Sequence, residues 1–148
     1  MSSLALKLFE RVLDACDRAA ALRSEEAAHL ATGRRGERAA FFYLRRNGFV
    51  LVARGWRSGR ARGDLDLVAW EGDTLCIVEV KTRTTRAIAT AEASVDALKQ
   101  KTLMRLARHY VRQLPEQDVT VRFDILSIYF DTGKSPEFEL FRGAFARD

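Results

Sequence analysis

Apolar residues recur along this chain with two different periods, and the change from one to the other marks its elements. Leu6, Phe9, Leu13, Cys16 and Ala20 fall at helical spacing within an alanine-, leucine- and charge-rich stretch, Ser3–Ala31. This predicts an amphipathic helix, whose simplest use is to pack its apolar side. A second helix is predicted over Gly33–Asn47, where Ala40, Tyr43 and Leu44 form a short apolar face and Asn47-Gly48 is a stop signal. Glycine costs about 1 kcal/mol relative to alanine inside a helix, so Gly33 and Gly36 predict an irregular start.

Beyond Gly48 the period shortens to two. Phe49–Arg54, Asp64–Trp70 and Thr74–Lys81 read as strands. The loop Gly55–Gly63 lies between the first two and carries Trp56, Arg57, Arg60 and Arg62. Gly72-Asp73 makes a two-residue hairpin turn between the second and third, because glycine accepts the positive φ such turns need. Thr82–Ala93 reads as a loop holding Arg83 and Arg86. Ser94 then caps a helix to about Leu114, stopped by Pro115. Val119–Phe130 is β-branched and aromatic, and after a turn at Asp131-Thr132-Gly133-Lys134 a last strand is predicted at Glu137–Phe141. Helix, three strands, helix and one or two strands predict an α/β sandwich around a mixed sheet.

The 148 residues suit a single domain, with 47% hydrophobic and 30% charged residues as in ordinary globular proteins. The net charge of +5 favours polyanionic partners without requiring them. Cys16 and Cys76 have no neighbour at zinc-ligand spacing and read as reduced thiols of a cytosolic protein. No apolar run approaches the roughly 20 residues of a membrane span, so no membrane association is expected.

Register turns the hairpin into chemistry. Counting outward from Gly72-Asp73, Trp70 faces Leu75, Val68 faces Ile77, Asp66 faces Glu79 and Asp64 faces Lys81. Directly opposed Cβ atoms stand about 4.5–5.5 Å apart, and two ionised carboxylates at that distance repel unless a cation lies between them. Mg²⁺, which takes one or two carboxylates plus waters, suits Asp66 and Glu79; Mn²⁺ is the alternative. Lys81, on the same face, would supply a fixed positive charge to a phosphate under attack. The plainer alternative is that Glu79 and Lys81 mark a strand end, with Asp66 paired to an arginine.

Gly33-Arg34-Arg35-Gly36-Glu37, Gly63-Asp64-Leu65-Asp66-Leu67-Val68 and Val78-Glu79-Val80-Lys81-Thr82-Arg83, with Arg122-Phe123-Asp124, resemble the motifs of the YraN family, also called UPF0102. The resemblance runs from about Gly33 to Phe145. It divides the chain into an N-terminal helical extension, 1–31, and a PD-(D/E)xK nuclease-like domain, 32–148. Through its similarity to archaeal Holliday-junction resolvases, the family implies a restriction-endonuclease-like fold: a three-layer sandwich with a central mixed β-sheet flanked by helices. It also implies that Glu37 completes the site from a helix, that Asp66 and Glu79 bind metal, that Lys81 is the catalytic lysine, and that the Val80 carbonyl is a further ligand. Asp64 stands where the family usually has glutamate, so it either orients Lys81 or binds metal.

The function so implied is a metal-dependent DNA endonuclease, acting on branched or damaged DNA and, by analogy with junction-cutting enzymes, as a homodimer. The alternative is a non-catalytic nucleic-acid-binding protein with a nuclease-like fold. Arg57, Arg60, Arg62 and Arg83 are the candidate DNA contacts, with a solvated basic loop as the competing reading. Trp56 is read as core in preference to a base-stacking platform. Lys99, Lys101, Arg105, Arg108 and Arg112 are read as a solvated basic face of the long helix, with Lys101 the one that could approach the site. His29 and His109 are isolated, and Arg122–Asp124 is read as a structural ion pair.

Overall fold

The computed structural model describes residues 3–83 and 95–146, with side chains from residue 13 onward. The elements in chain order are helix α1 (Ser3–Arg46), strands β1 (Val50–Trp56), β2 (Leu65–Glu71) and β3 (Thr74–Arg83), helix α2 (Ala97–Val111), and strands β4 (Thr120–Tyr129) and β5 (Glu137–Phe145). The chain divides into two compact units, Met1–Arg34 and Arg35–Asp148.

In the first unit every side chain from 13 to 31 is exposed, Leu13, Leu22 and Leu30 included. Of the apolar side expected to pack, Leu13, Cys16 and Ala20 are exposed. The helix also does not break where the glycines predicted it would; α1 runs through Gly33 and Gly36 without interruption. Two glycine penalties of about 1 kcal/mol each are small against the cooperativity of a helix this long.

The second unit is a five-stranded sheet in the order β1-β2-β3-β4-β5. Pairing is antiparallel except between β3 and β4, which run parallel. A parallel pair needs a crossover, and α2 lies on it. Ala40 and Leu44 of α1 pack with Leu67, Ala69, Cys76, Val78, Leu126 and Ile128 on one face. Leu103, Leu106 and Tyr110 of α2 pack with Val68, Leu75, Ile77, Phe123 and Ile125 on the other. The result is the α/β architecture expected, a mixed sheet between helical layers.

The hairpin register is the one counted from the turn: Glu71↔Thr74, Trp70↔Leu75, Val68↔Ile77. Gly72 has the positive φ of 58° that the turn requires. Several ends differ from the sequence reading. Asp96, whose carboxylate accepts the Lys99 N–H at 2.8 Å, caps α2; Ser94, expected in that role, lies outside the described residues. Strand β3 extends through Thr82 and Arg83, which were expected in a loop, because β4 pairs with it as far as Arg83↔Tyr129. The rest of that loop, including Arg86, lies outside the described residues.

Trp56 packs edge-on against Tyr110, ring centroids 5.2 Å apart, as part of the core. Arg122 and Asp124 form a two-pronged ion pair, with Nε–Oδ1 at 2.7 Å and Nη2–Oδ2 at 2.8 Å. Asp124 is fully buried and also accepts the Gly143 N–H, while Glu71 binds both Arg122 and Arg142.

Candidate active site

Two strands part company at the site. Strand β2 stays paired with β1 down to Leu65, but its ladder with β3 ends at Leu67↔Val78. Alternation fails there as well: Leu65 lies in the core beneath α2 and Leu67 in the core beneath α1. Where the next backbone bond would form, Asp66 Oδ2 accepts the Val80 N–H at 2.9 Å. A carboxylate has replaced a carbonyl as acceptor. An extended residue projects its N–H and C=O to the same side. The Val80 carbonyl is therefore directed toward β2 as well.

The electrostatics are those of an under-compensated acid cluster. Although part of its surface reaches solvent, Asp66 is pushed up to about 7, chiefly by burial and then by the charge of Glu79, with Glu37 adding to it. The Val80 N–H and Lys99 act in the opposite direction. Glu79 is buried, only 4% exposed. Its Oε1 meets Lys81 Nζ at 3.2 Å and Lys99 Nζ at 3.3 Å, while its buried Oε2 has no hydrogen-bond partner among the described residues. Ser127, across the parallel ladder from Lys81, likewise buries a hydroxyl with no hydrogen-bond partner among them.

Asp66, Glu79, Lys81 and the Val80 main chain are thus neighbours, and Glu37 is near enough to act on Asp66. The route by which Glu37 arrives is visible at Gly36, which is buried; a Cβ there would collide with Thr82 Oγ1. The missing side chain lets α1 press against β3 beside Lys81. Asp64 precedes β2, and the ladder ends before it could face Lys81, whose ammonium instead bonds Glu79. Arg57, Arg60 and Arg62 are exposed on the β1–β2 loop, whereas Arg83 is half-buried with one guanidinium nitrogen unpartnered.

Lys99 was missed as a site residue. It was grouped with the solvated face of α2, and Lys101, the lysine considered nearer, is exposed. The signal was its place three residues after the Asp96 cap, in the first turn of a helix that follows the strand carrying Glu79. Its spacing from Leu103 and Leu106 puts it on the buried face of the helix; what sequence could not give was that this face meets Glu79.

Among the described residues, no three His, Cys, Asp or Glu side chains are gathered so as to hold a metal ion by themselves. A cation here would draw on two carboxylates, a main-chain oxygen and water. That donor set suits a hard divalent ion such as Mg²⁺. The unpartnered Glu79 Oε2 and the raised Asp66 are what such an ion would compensate.

Residues 36–128 match the model of a family described as the uncharacterised protein family UPF0102. The chain belongs to the UPF0102 family. A UPF0102 protein of Koribacter versatilis is 46% identical over 144 residues, covering 97% of this chain and 94% of its own. One of Solibacter usitatus is 44% identical over 113 residues, covering 76% of this chain and 84% of its own. One of Rhodococcus opacus is 39% identical over 119 residues, covering 80% of this chain and 99% of its own. The UPF0102 match spans Glu37, Asp66, Glu79 and Lys81, and it also spans Lys99.

Proposed function

We propose that this UPF0102 chain is a Mg²⁺- or Mn²⁺-dependent endonuclease that hydrolyses DNA phosphodiester bonds, with branched or damaged DNA as its substrate class. The observation that supports this reading best is the acid pair itself. Asp66 holds its proton to about 7, and beside it Glu79 buries an oxygen that has no hydrogen-bond partner among the described residues. A buried carboxylate oxygen left unsatisfied costs stability and is retained where it has a ligand to meet.

In this reading Asp66, Glu79 and the Val80 carbonyl hold the cation, with Glu37 beside Asp66. The bound ion polarises the phosphate and lowers the pKa of water. Asp66 must lose its proton to serve as a ligand, so cleavage should rise with pH through about 7. Lys81 and Lys99 orient Glu79 through Oε1 and carry positive charge toward the phosphate that reacts.

A second reading, a non-catalytic nucleic-acid-binding protein, draws on the lack of a three-residue acidic cluster among the described residues. One experiment separates the two. Linear, supercoiled, single-stranded and four-way-junction DNA are incubated with the protein in Mg²⁺, Mn²⁺ or EDTA, beside Asp66→Ala and Lys81→Ala. Cleavage in metal that both variants lose supports the nuclease. Cleavage that survives in both rejects this site, and binding without cleavage of any substrate supports the second reading.

A further inference from the structure

Away from the acid pair, the β1–β2 loop and the C-terminal end of α2 enclose a groove lined by Ser58, Gly59, Arg60, His109, Arg112 and Gln113. Its side chains offer two guanidinium groups, an imidazole, an amide and a hydroxyl, and no carboxylate. Such a lining suits an anion. The C-terminus of a helix carries about half a negative charge, but two full guanidinium charges outweigh it.

The groove is built rather than incidental. Ser58 Oγ pairs with His109 Nδ1 at 2.7 Å and accepts the Arg60 N–H at 3.2 Å, which fixes the middle of the loop to the helix. On either side of it, Trp56 packs on Tyr110, and Gly63 lies against Thr102 and Leu106 with a φ of 94°. With Nδ1 engaged by Ser58, any ligand that His109 binds from this groove must meet Nε2. A loop pinned at three points loses little further freedom on binding, so its charges are preorganised.

Position along α2 relates the groove to the acid pair. Lys99, at the start of the helix, contacts Glu79, and His109 and Arg112 follow ten and thirteen residues later. At 1.5 Å per residue that offset is about 15–20 Å along the helix axis. Successive phosphates of one DNA strand advance about 3.4 Å along the duplex, so for a duplex lying along α2 the offset corresponds to roughly four to six base pairs.

We propose that this groove is a distal phosphate clamp: it takes a backbone phosphate of the same duplex whose reacting phosphate lies at Asp66 and Glu79. The clamp rests on the polynucleotide reading given above, and it adds His109, Arg112 and Gln113 to the substrate contacts. Its role is to set the register of the duplex along α2, since phosphate contacts position and do not read sequence.

The test is binding of a 20-base-pair duplex to the full chain in EDTA, by fluorescence anisotropy across a range of KCl concentrations. Arg60→Ala/Arg112→Ala is compared with Lys101→Ala/Arg105→Ala, which removes the same charge from α2 outside the groove. The groove variant is expected to lose roughly tenfold or more in affinity and to flatten the salt dependence by about one phosphate contact. The control should lose clearly less at an unchanged melting temperature. Wild-type affinity and slope in the groove variant overturn the clamp alone, as does a loss no larger than the control's. Failure of the wild-type chain to bind any duplex overturns the polynucleotide reading, and the clamp with it.

Discussion

At Asp66 one carboxylate oxygen accepts the Val80 N–H while burial and Glu79 raise its proton affinity to about 7. The consequence for stability has a definite sign. A carboxylate whose folded pKa exceeds its unfolded value leaves the native state holding more protons between the two, so stability falls as pH rises from about 4 to about 7. In EDTA the melting temperature should therefore drop across that window. Asp66→Asn should flatten the profile, and Mg²⁺ at pH 8 should raise the wild-type midpoint more than that of the variant. Parallel pH profiles for the two proteins would assign the effect elsewhere. Lys99 supports a second expectation. Because its ammonium stands 3.3 Å from Glu79, Lys99→Ala should reduce cleavage on the order of 10²-fold while circular dichroism stays unchanged.

Helix α1 carries two glycines with opposite roles. A Cβ at Gly33 meets nothing within 4 Å, whereas one at Gly36 collides with Thr82. Gly33→Ala should stabilise the chain by about 1 kcal/mol through helix propensity. Gly36→Ala should destabilise it by about 1–3 kcal/mol through overpacking. Urea unfolding monitored at both positions decides the point; equal effects would mean that the contact with Thr82 does not constrain the helix. These glycines also show where sequence stops being informative. The β2–β3 hairpin was legible because a period of two and a glycine turn determine which residues face each other. That put Asp66 near Glu79 in advance, although the ladder itself ends one pair short of them, at Leu67↔Val78. The uninterrupted α1 was not legible, since a local penalty predicts a break and only the neighbouring strand explains why Gly36 is there. Lys99 stands four and seven residues before Leu103 and Leu106, so spacing puts it on the buried face of α2; its meeting with Glu79 depends on the crossover between parallel strands, which no local pattern records. The end of the β2–β3 ladder was equally silent, because it depends on a side chain capturing a backbone N–H.

Across the whole sheet, charge is handled in two ways. The end formed by Glu71, Arg122, Asp124 and Arg142 is internally satisfied, and the end formed by Asp66 and Glu79 is not. Hydrogen bonds from Arg142, helped by Arg122, hold Glu71 down at about 2. A lowered carboxylate stabilises the fold above its unfolded pKa, and that contribution is lost as pH falls through the folded one. Acid melting between pH 4.5 and 2 should therefore weaken in Glu71→Gln. Arg122→Met should cost about 3–5 kcal/mol in urea unfolding, because it strands the fully buried Asp124. A loss below 1 kcal/mol would show that the Gly143 N–H alone satisfies that carboxylate. The parting of β2 from β3 carries a spectroscopic consequence. The Val80 amide proton is bound to a group that titrates, while the neighbouring paired residues Val78 and Cys76 sit in an ordinary ladder. In a ¹H–¹⁵N spectrum the Val80 resonance should move with pH around a midpoint near 7. A cation arriving between the strands would freeze that movement, so a single main-chain signal serves as a built-in gauge of whether the site is empty, protonated or loaded.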